Sequence, residues 1–203
     1  PGRFRGQDVT IVDVFEGIGK HATGAYSDQD LREIECAACP GQGACGGQFT
    51  ANTMACVAEA LGLSWPHSID PPAEDAVRGD FARQTGRAVM DLVHNDGLKP
   101  REIVTRKALE NAAAVVAATG GSTNAALHIP AIAHEAGIDF DLFAVAQAFR
   151  RTPLIADLKP GGTYVPRDMY KIGGVAVVLR ELLDHGYLHG DCRTVTGKTM
   201  EAN

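Results

Sequence analysis

The sequence predicts a helix-rich α/β layer. About eight segments repeat their apolar residues at helical spacing, most open on a capping residue or close on a glycine, and few runs read as strands. Near the N-terminus, TIVDVFEGIGKHATG puts Ile11, Phe15, Ile18 and Ala22 on one helical stripe, with Val9 to Ile11 able to begin a short strand instead. Ser27 is placed to cap DQDLREIECAA, whose first turn carries Asp28 and Asp30 at the positive end of the helix dipole. A glycine-rich cysteine loop follows. Behind it a helix over residues 49–61 carries Phe49, Thr53, Cys56, Val57 and Ala60 on one face, and Gly62 stops it.

The proline-studded SWPHSIDPP reads as a loop, and residues 73–94 as a helix turning Val77, Phe81, Ala88, Val89 and Leu92 inward. Pro100 suits a first helical position, and Thr105 caps RKALENAAAVVAAT, apolar nearly all round in its second half and so expected in the interior. Gly120-Gly121-Ser122-Thr123-Asn124 breaks that run and starts AALHIPAIAHEAG, which Gly137 ends. A helix follows Asp141, LIADL is the best strand candidate ahead of the turn at Lys159-Pro160-Gly161-Gly162, and Gly186 stops VAVVLRELLDHG.

At 203 residues, 45% hydrophobic and 22% charged, the chain suits one soluble globular domain with room for a small second lobe. A net charge of −6 without clustered Lys and Arg argues against nucleic acid as a partner. No apolar run approaches membrane-spanning length, and no secretory signal is read. Five cysteines, four of them between Cys36 and Cys56, do not form a disulfide framework in a chain this large, so a reducing compartment, the cytoplasm, is expected. The chain opens on PGRFRGQDV without Met and stops at GKTMEAN. It reads as an internal piece, residues 1–203 forming a single partial domain.

Cys45 carries the most specific chemistry. It lies in CPGQGACGG ahead of a helix, where unpaired N–H groups and the dipole favour thiolate, a nucleophile or a metal ligand. The plain alternative is a small buried thiol in a glycine turn. Cys36, Cys39 and Cys45 crowd together and point toward metal, yet no fourth ligand sits at a usual zinc offset, and iron–sulfur clusters most often use four thiolates. Partners are therefore missing. Cys56 falls on the apolar stripe and reads as core. Ser122, Thr123 and Asn124 follow two glycines at a helix start, suited to a carboxylate or phosphate or merely to capping. His128 and His134 are six apart and face different sides, and no histidine is assigned a catalytic role.

Several long segments, CPGQGACGGQFTANTMACVAEALGL, TRKALENAAAVVAATGGSTNAALHIPAIAHEAGID, ADLKPGGTYV and GYLHGDCRTVTGKT, together resemble the dihydroxy-acid dehydratase family, which includes sugar-acid and 6-phosphogluconate dehydratases. The resemblance covers essentially the whole chain. It implies the latter part of the family's N-terminal three-layer α/β domain, the C-terminal domain being absent from this chain. It further implies an iron–sulfur hydro-lyase converting a 2,3-dihydroxy acid into a 2-oxo acid, with a [2Fe-2S] or [4Fe-4S] cluster, Mg²⁺, a small hydroxy-acid substrate and a homodimer. Cys45 corresponds to the cluster cysteine of the family's Cys-Gly-Gly-Met-Phe-Thr-Ala-Asn-Thr-Met segment, with Cys39 the second candidate. Ser122, Thr123 and Asn124 are the physical candidates for a substrate-pocket wall.

The departures are as informative. No Cys-Asp-Lys segment and no Thr-Asp-Gly-Arg segment occurs here, so no Mg²⁺ ligand or catalytic base is assigned in this chain, and the piece alone is expected to be inactive. Gln48 stands where the family usually has Met, and Cys36 is an extra thiol. The helix around Cys56 resembles the enzyme of branched-chain amino-acid synthesis more than sugar-acid dehydratases, which are the alternative. A noncatalytic scaffold or interaction fragment is the alternative of another class.

Overall fold

The computed structural model describes residues 2–43, 45–94 and 97–203. Among them a short hairpin, β1 (Gly2–Phe4) and β2 (Gln7–Val9), pairs antiparallel with Gly2 opposite Val9. Ten helices follow: α1 (Ile11–Ala22), α2 (Asp28–Ala38), α3 (Thr50–Ala60), α4 (Val77–His94), α5 (Pro100–Ile103), α6 (Arg106–Ala118), α7 (Ala125–Ala136), α8 (Leu142–Arg151), α9 (Pro166–Lys171) and α10 (Val175–Asp184). The helix-rich class expected from the sequence holds, and no described helix is long and apolar enough to cross a membrane.

Helix α6 is the axis of the fold. Thr105 opens it by accepting a hydrogen bond from the Ala108 N–H at 3.2 Å. Its Leu109, Ala112, Ala113 and Val116 pack into a cluster with α3, α7 and α8, while Ala114, Val115 and Ala118 pack into a second with α3 and α10. Two apolar clusters on opposite flanks explain why α6 is apolar nearly all round. Fully burying residues such as Leu109 and Val115 contributes roughly 1.5–3 kcal/mol each to stability. The β1–β2 hairpin, α1 and α2 form a smaller cluster of their own around Val9, Val14, Ile34 and Ala38.

Local capping signals are met where expected. Ser27 and Asp30 form a reciprocal capping box on α2, and Gly137 (φ 75°) and Gly186 (φ 74°) take left-handed conformations at the ends of α7 and α10.

Four expectations need correction. The stripe Ile11, Phe15, Ile18 and Ala22 does not face the core: Phe15 is 63% exposed, while Val14 and Gly17 are the buried positions. Gly17 decides the docking, because without a side chain it lets Ile34 of α2 approach closely. Helix α4 starts at Val77 and buries no residue, with Val89 51% exposed, because it rests on the surface loop at Trp65 rather than on α6. LIADL forms no strand. The N–H groups of Ile155 and Ala156 both donate to the Ala118 carbonyl at the end of α6, and only Leu158 makes one bridge, to Tyr164. Strand β2 ends at Val9, because Thr10 and Asp13 form a capping box that starts α1. The short α9 was not anticipated, although Pro166 at its first position and Asp168 two residues on are start signals.

Candidate functional site

Cys45 sits in the loop between α2 and α3. Two glycines fix its path. A Cβ on Gly46 would lie 2.9 Å from the Thr10 Cβ, and one on Gly47 would lie 2.9 Å from the Lys159 carbonyl oxygen and 3.0 Å from the Phe49 ring. Neither site has room for a side chain. Gly41 meets nothing within 4 Å, so the loop's close approach to its neighbours depends on Gly46 and Gly47.

Gln48 then locks the loop to the core. It is 1% exposed, and its N–H donates to the Lys159 carbonyl at 2.6 Å. Its side-chain amide donates to Cys56 Sγ at 3.4 Å and to Thr119 Oγ1 at 3.3 Å. Asn52 donates to the Gly47 carbonyl at 2.8 Å and Thr53 to the Gln48 carbonyl at 3.2 Å, tying the same turn to the first turn of α3. Phe49, the N-cap residue, offers no side-chain acceptor to the helix start.

The loop opens onto a cavity of about 370 Å³ whose lining includes Cys45, Asn52, Cys56, Asp70, Arg78 and Met169. The Cys45 residue is exposed and Cys56 buried. Burial, reinforced by the neighbouring Asp70 and Glu59 carboxyls, pushes the Cys56 thiol up to about 12, although the Gln48 amide acts the other way. Cys56 is therefore a neutral core thiol, as its place on the apolar stripe indicated. Asp70 reaches in from the proline loop. One of its oxygens accepts the Val175 N–H at 2.8 Å at the start of α10, and the other is buried without a hydrogen-bond partner. Burial first, only partly offset by the Val175 bond, holds the Asp70 carboxyl above its usual range. Arg78 of α4 donates to the Pro71 carbonyl at 2.7 Å and keeps a guanidinium on the cavity wall.

The other candidates lie elsewhere. Cys39 is the exposed C-cap residue of α2, and Cys36 is exposed on the same helix. Among the described residues no three His, Cys, Asp or Glu side chains come together closely enough to hold a metal ion. Ser122 and Asn124, flanking Thr123, meet the opposite face of α3 from the one lining the cavity. The Ser122 N–H donates to Thr53 Oγ1 at 2.9 Å and the Asn124 amide to Thr50 Oγ1 at 2.6 Å. Asn124 is the N-cap residue of α7 but makes no side-chain cap bond. Of the histidines, His189 contacts Glu110 at 2.8 Å beside Arg151, an arrangement on the far side of α6.

Asp70, Arg78 and Glu59 were missed by reading the sequence. Glu59 did leave a signal, being the lone charge in the otherwise uncharged stretch FTANTMACVAEALGL. Asp70 and Arg78 left none, because their convergence on the cavity depends on how the proline loop returns across α3.

The chain matches the family described as dihydroxy-acid/6-phosphogluconate dehydratase N-terminal across residues 2–203. It is 62% identical, over all of its length, to the dihydroxy-acid dehydratase of Parvibaculum lavamentivorans, of which it covers 35%. It is likewise 62% identical to dihydroxy-acid dehydratase 2 of Bradyrhizobium diazoefficiens, again covering 35%. The dihydroxy-acid dehydratase of Metallosphaera sedula is 52% identical over the whole chain, which covers 36% of it. The chain thus spans about a third of the length of the curated relatives it matches.

Proposed function

This chain belongs to the dihydroxy-acid/6-phosphogluconate dehydratase family, and on that premise we propose that it is part of an iron–sulfur hydro-lyase. The reaction is dehydration of a 2,3-dihydroxy acid to a 2-oxo acid, in the dihydroxy-acid dehydratase step of branched-chain amino-acid synthesis. The observation carrying this reading is Cys45: an exposed thiol on a glycine-framed loop, at the wall of a cavity, in a chain aligned with the family from end to end.

The donor chemistry fits an iron–sulfur cluster in part. Cys45 is the soft ligand this chain would contribute, with Cys39 a second candidate, and the remaining ligands belong to polypeptide outside this segment. When bound, the cluster supplies Lewis-acid assistance to departure of the substrate's 3-hydroxyl. The chain's own residues do the positioning. Gly46 and Gly47 let the loop approach Thr10 and Lys159, and Gln48 pins it to α3 and α6, so the Cys45 sulfur is presented to the cavity from a fixed frame. Arg78 and Asn52 place hydrogen-bond donors on the same wall, where an acid's oxygens can be held. Mg²⁺ is the second cofactor of the proposal and has no ligand assigned here. The protein is proposed as a cytoplasmic homodimer, with this chain as the latter part of its N-terminal domain and Ser122, Thr123 and Asn124 as candidates for a pocket wall on the other side of α3 from the Cys45 cavity.

The test is turnover by the intact protein of 2,3-dihydroxyisovalerate against pentonates and hexonates. Dehydration of the branched substrate is the expected result. Turnover of sugar acids alone would replace it with an aldonate dehydratase, and turnover of neither would favour a noncatalytic role.

A further inference from the structure

We propose that Glu59 is a proton-operated latch on the segment that walls the Cys45 cavity, closing residues 64–73 when neutral and releasing them when ionised. The inference does not rest on the dehydratase reading. It starts from a shared wall. Pro66 and His67 line one cavity, of about 230 Å³, which Glu59 borders, while Ile69, Asp70 and Pro71 line the cavity of Cys45. Whatever moves the first half of this segment reshapes the second site.

Glu59 is placed to move it. The residue is 5% exposed on α3, and one carboxyl oxygen accepts the His67 N–H at 3.1 Å. His67 has φ 64°, a left-handed conformation that costs a non-glycine residue energy and persists only while something holds it. The second Glu59 oxygen is buried with no hydrogen-bond partner, as is the second Asp70 oxygen. Two unmatched carboxyl oxygens therefore bracket the segment, one at each cavity.

The ionisable and charged groups around Glu59 are Cys56 on its own helix, His67 and Asp70 on the segment, Arg180 of α10, and Glu201 near the C-terminus. Arg180 is committed to Asp184 at 3.2 Å. Burial is the main influence on Glu59 and raises its pKa to about 8; the His67 bond opposes this and the Asp70 charge adds to it. Once Glu59 ionises, a buried charge faces Asp70, and among the described residues no cation is paired with it. Helices α3 and α10 cannot yield, since Val57, Ala60 and Leu182 are in the core. The segment can: among the described residues its side-chain hydrogen bonds are those of Glu59 to His67, Asp70 to Val175 and Arg78 to Pro71. Moving it admits water to both carboxylates.

Amide hydrogen exchange across residues 64–73 tests this, with wild type and E59Q compared at the same pH so that intrinsic exchange cancels. Glutamine keeps the acceptor for His67 and cannot ionise. Exchange should be equal in the two proteins near pH 4, and at least about tenfold faster in wild type near pH 9. D70N keeps the acceptor for Val175 but removes the charge that opposes ionised Glu59, so its segment should loosen less than that of wild type near pH 9. An equal wild-type to E59Q ratio at both pH values overturns the latch. Should E59Q fail to fold, a D70N segment that loosens as much as wild type does the same.

Discussion

Cys45 and Cys56 line one cavity and differ in everything that governs a thiol. Cys45 lies on the loop before α3, exposed; Cys56 lies on the helix itself, 2% exposed, bonded by Gln48 and held neutral by burial and nearby carboxyls. The difference teaches that two sulfurs at one opening meet different environments according to which side of the helix start they occupy. Gln48 serves both, bracing the loop that carries Cys45 while closing the interior around Cys56.

The sharpest way to break this contrast is competitive alkylation read peptide by peptide. Near pH 8, Cys45 should react at least ~100-fold faster than Cys56, whose thiolate fraction is then on the order of 10⁻⁴. Similar rates would erase the distinction. The glycine frame comes next. G47A must push against the Lys159 carbonyl and should cost about 3 kcal/mol in denaturant unfolding, whereas G41A, facing open space, should change stability by less than about 0.5 kcal/mol.

An effect with a pH signature is expected at the other end of α3. The folded pKa of Glu59, about 8, lies above the ordinary value of 4.5, so the folded state holds a proton the unfolded chain releases. Stability from that proton is complete below pH 4.5 and is lost as pH rises to about 8. E59Q should accordingly be more stable than wild type by up to about 5 kcal/mol near pH 9 and nearly equal to it near pH 4. A pH-independent difference would mean that Glu59 does not titrate on its own. The smallest effect is expected at Gln48. Q48A removes two buried amide bonds and should lower stability by about 1 kcal/mol, while Q48M, which also fills the space and removes the unpartnered carbonyl oxygen, should be close to neutral.

How far the sequence foretold this depends on the range of the interaction. Ser27, Thr105, Gly137 and Gly186 act within a turn of their own helices, and each was legible. Ile11, Phe15 and Ile18 were not placed correctly because periodicity identifies an apolar stripe without saying what covers it; the docking of α1 was settled by Gly17 against Ile34. Helix α4 misled in the same way. In the candidate site, the place of Cys45 on a glycine loop ahead of a helix was legible, and the structure sets it at a cavity. Asp70 was not, because its bond is to Val175, far along the chain. LIADL failed as a strand because its backbone donors were already taken by the end of α6.

The most direct measurement is anaerobic reconstitution of the intact protein with iron and sulfide, following visible absorption in wild type, C45S and C56S. Cys45 as an iron ligand predicts that C45S loses the cluster absorption while C56S keeps it. Undiminished absorption in C45S would contradict the account.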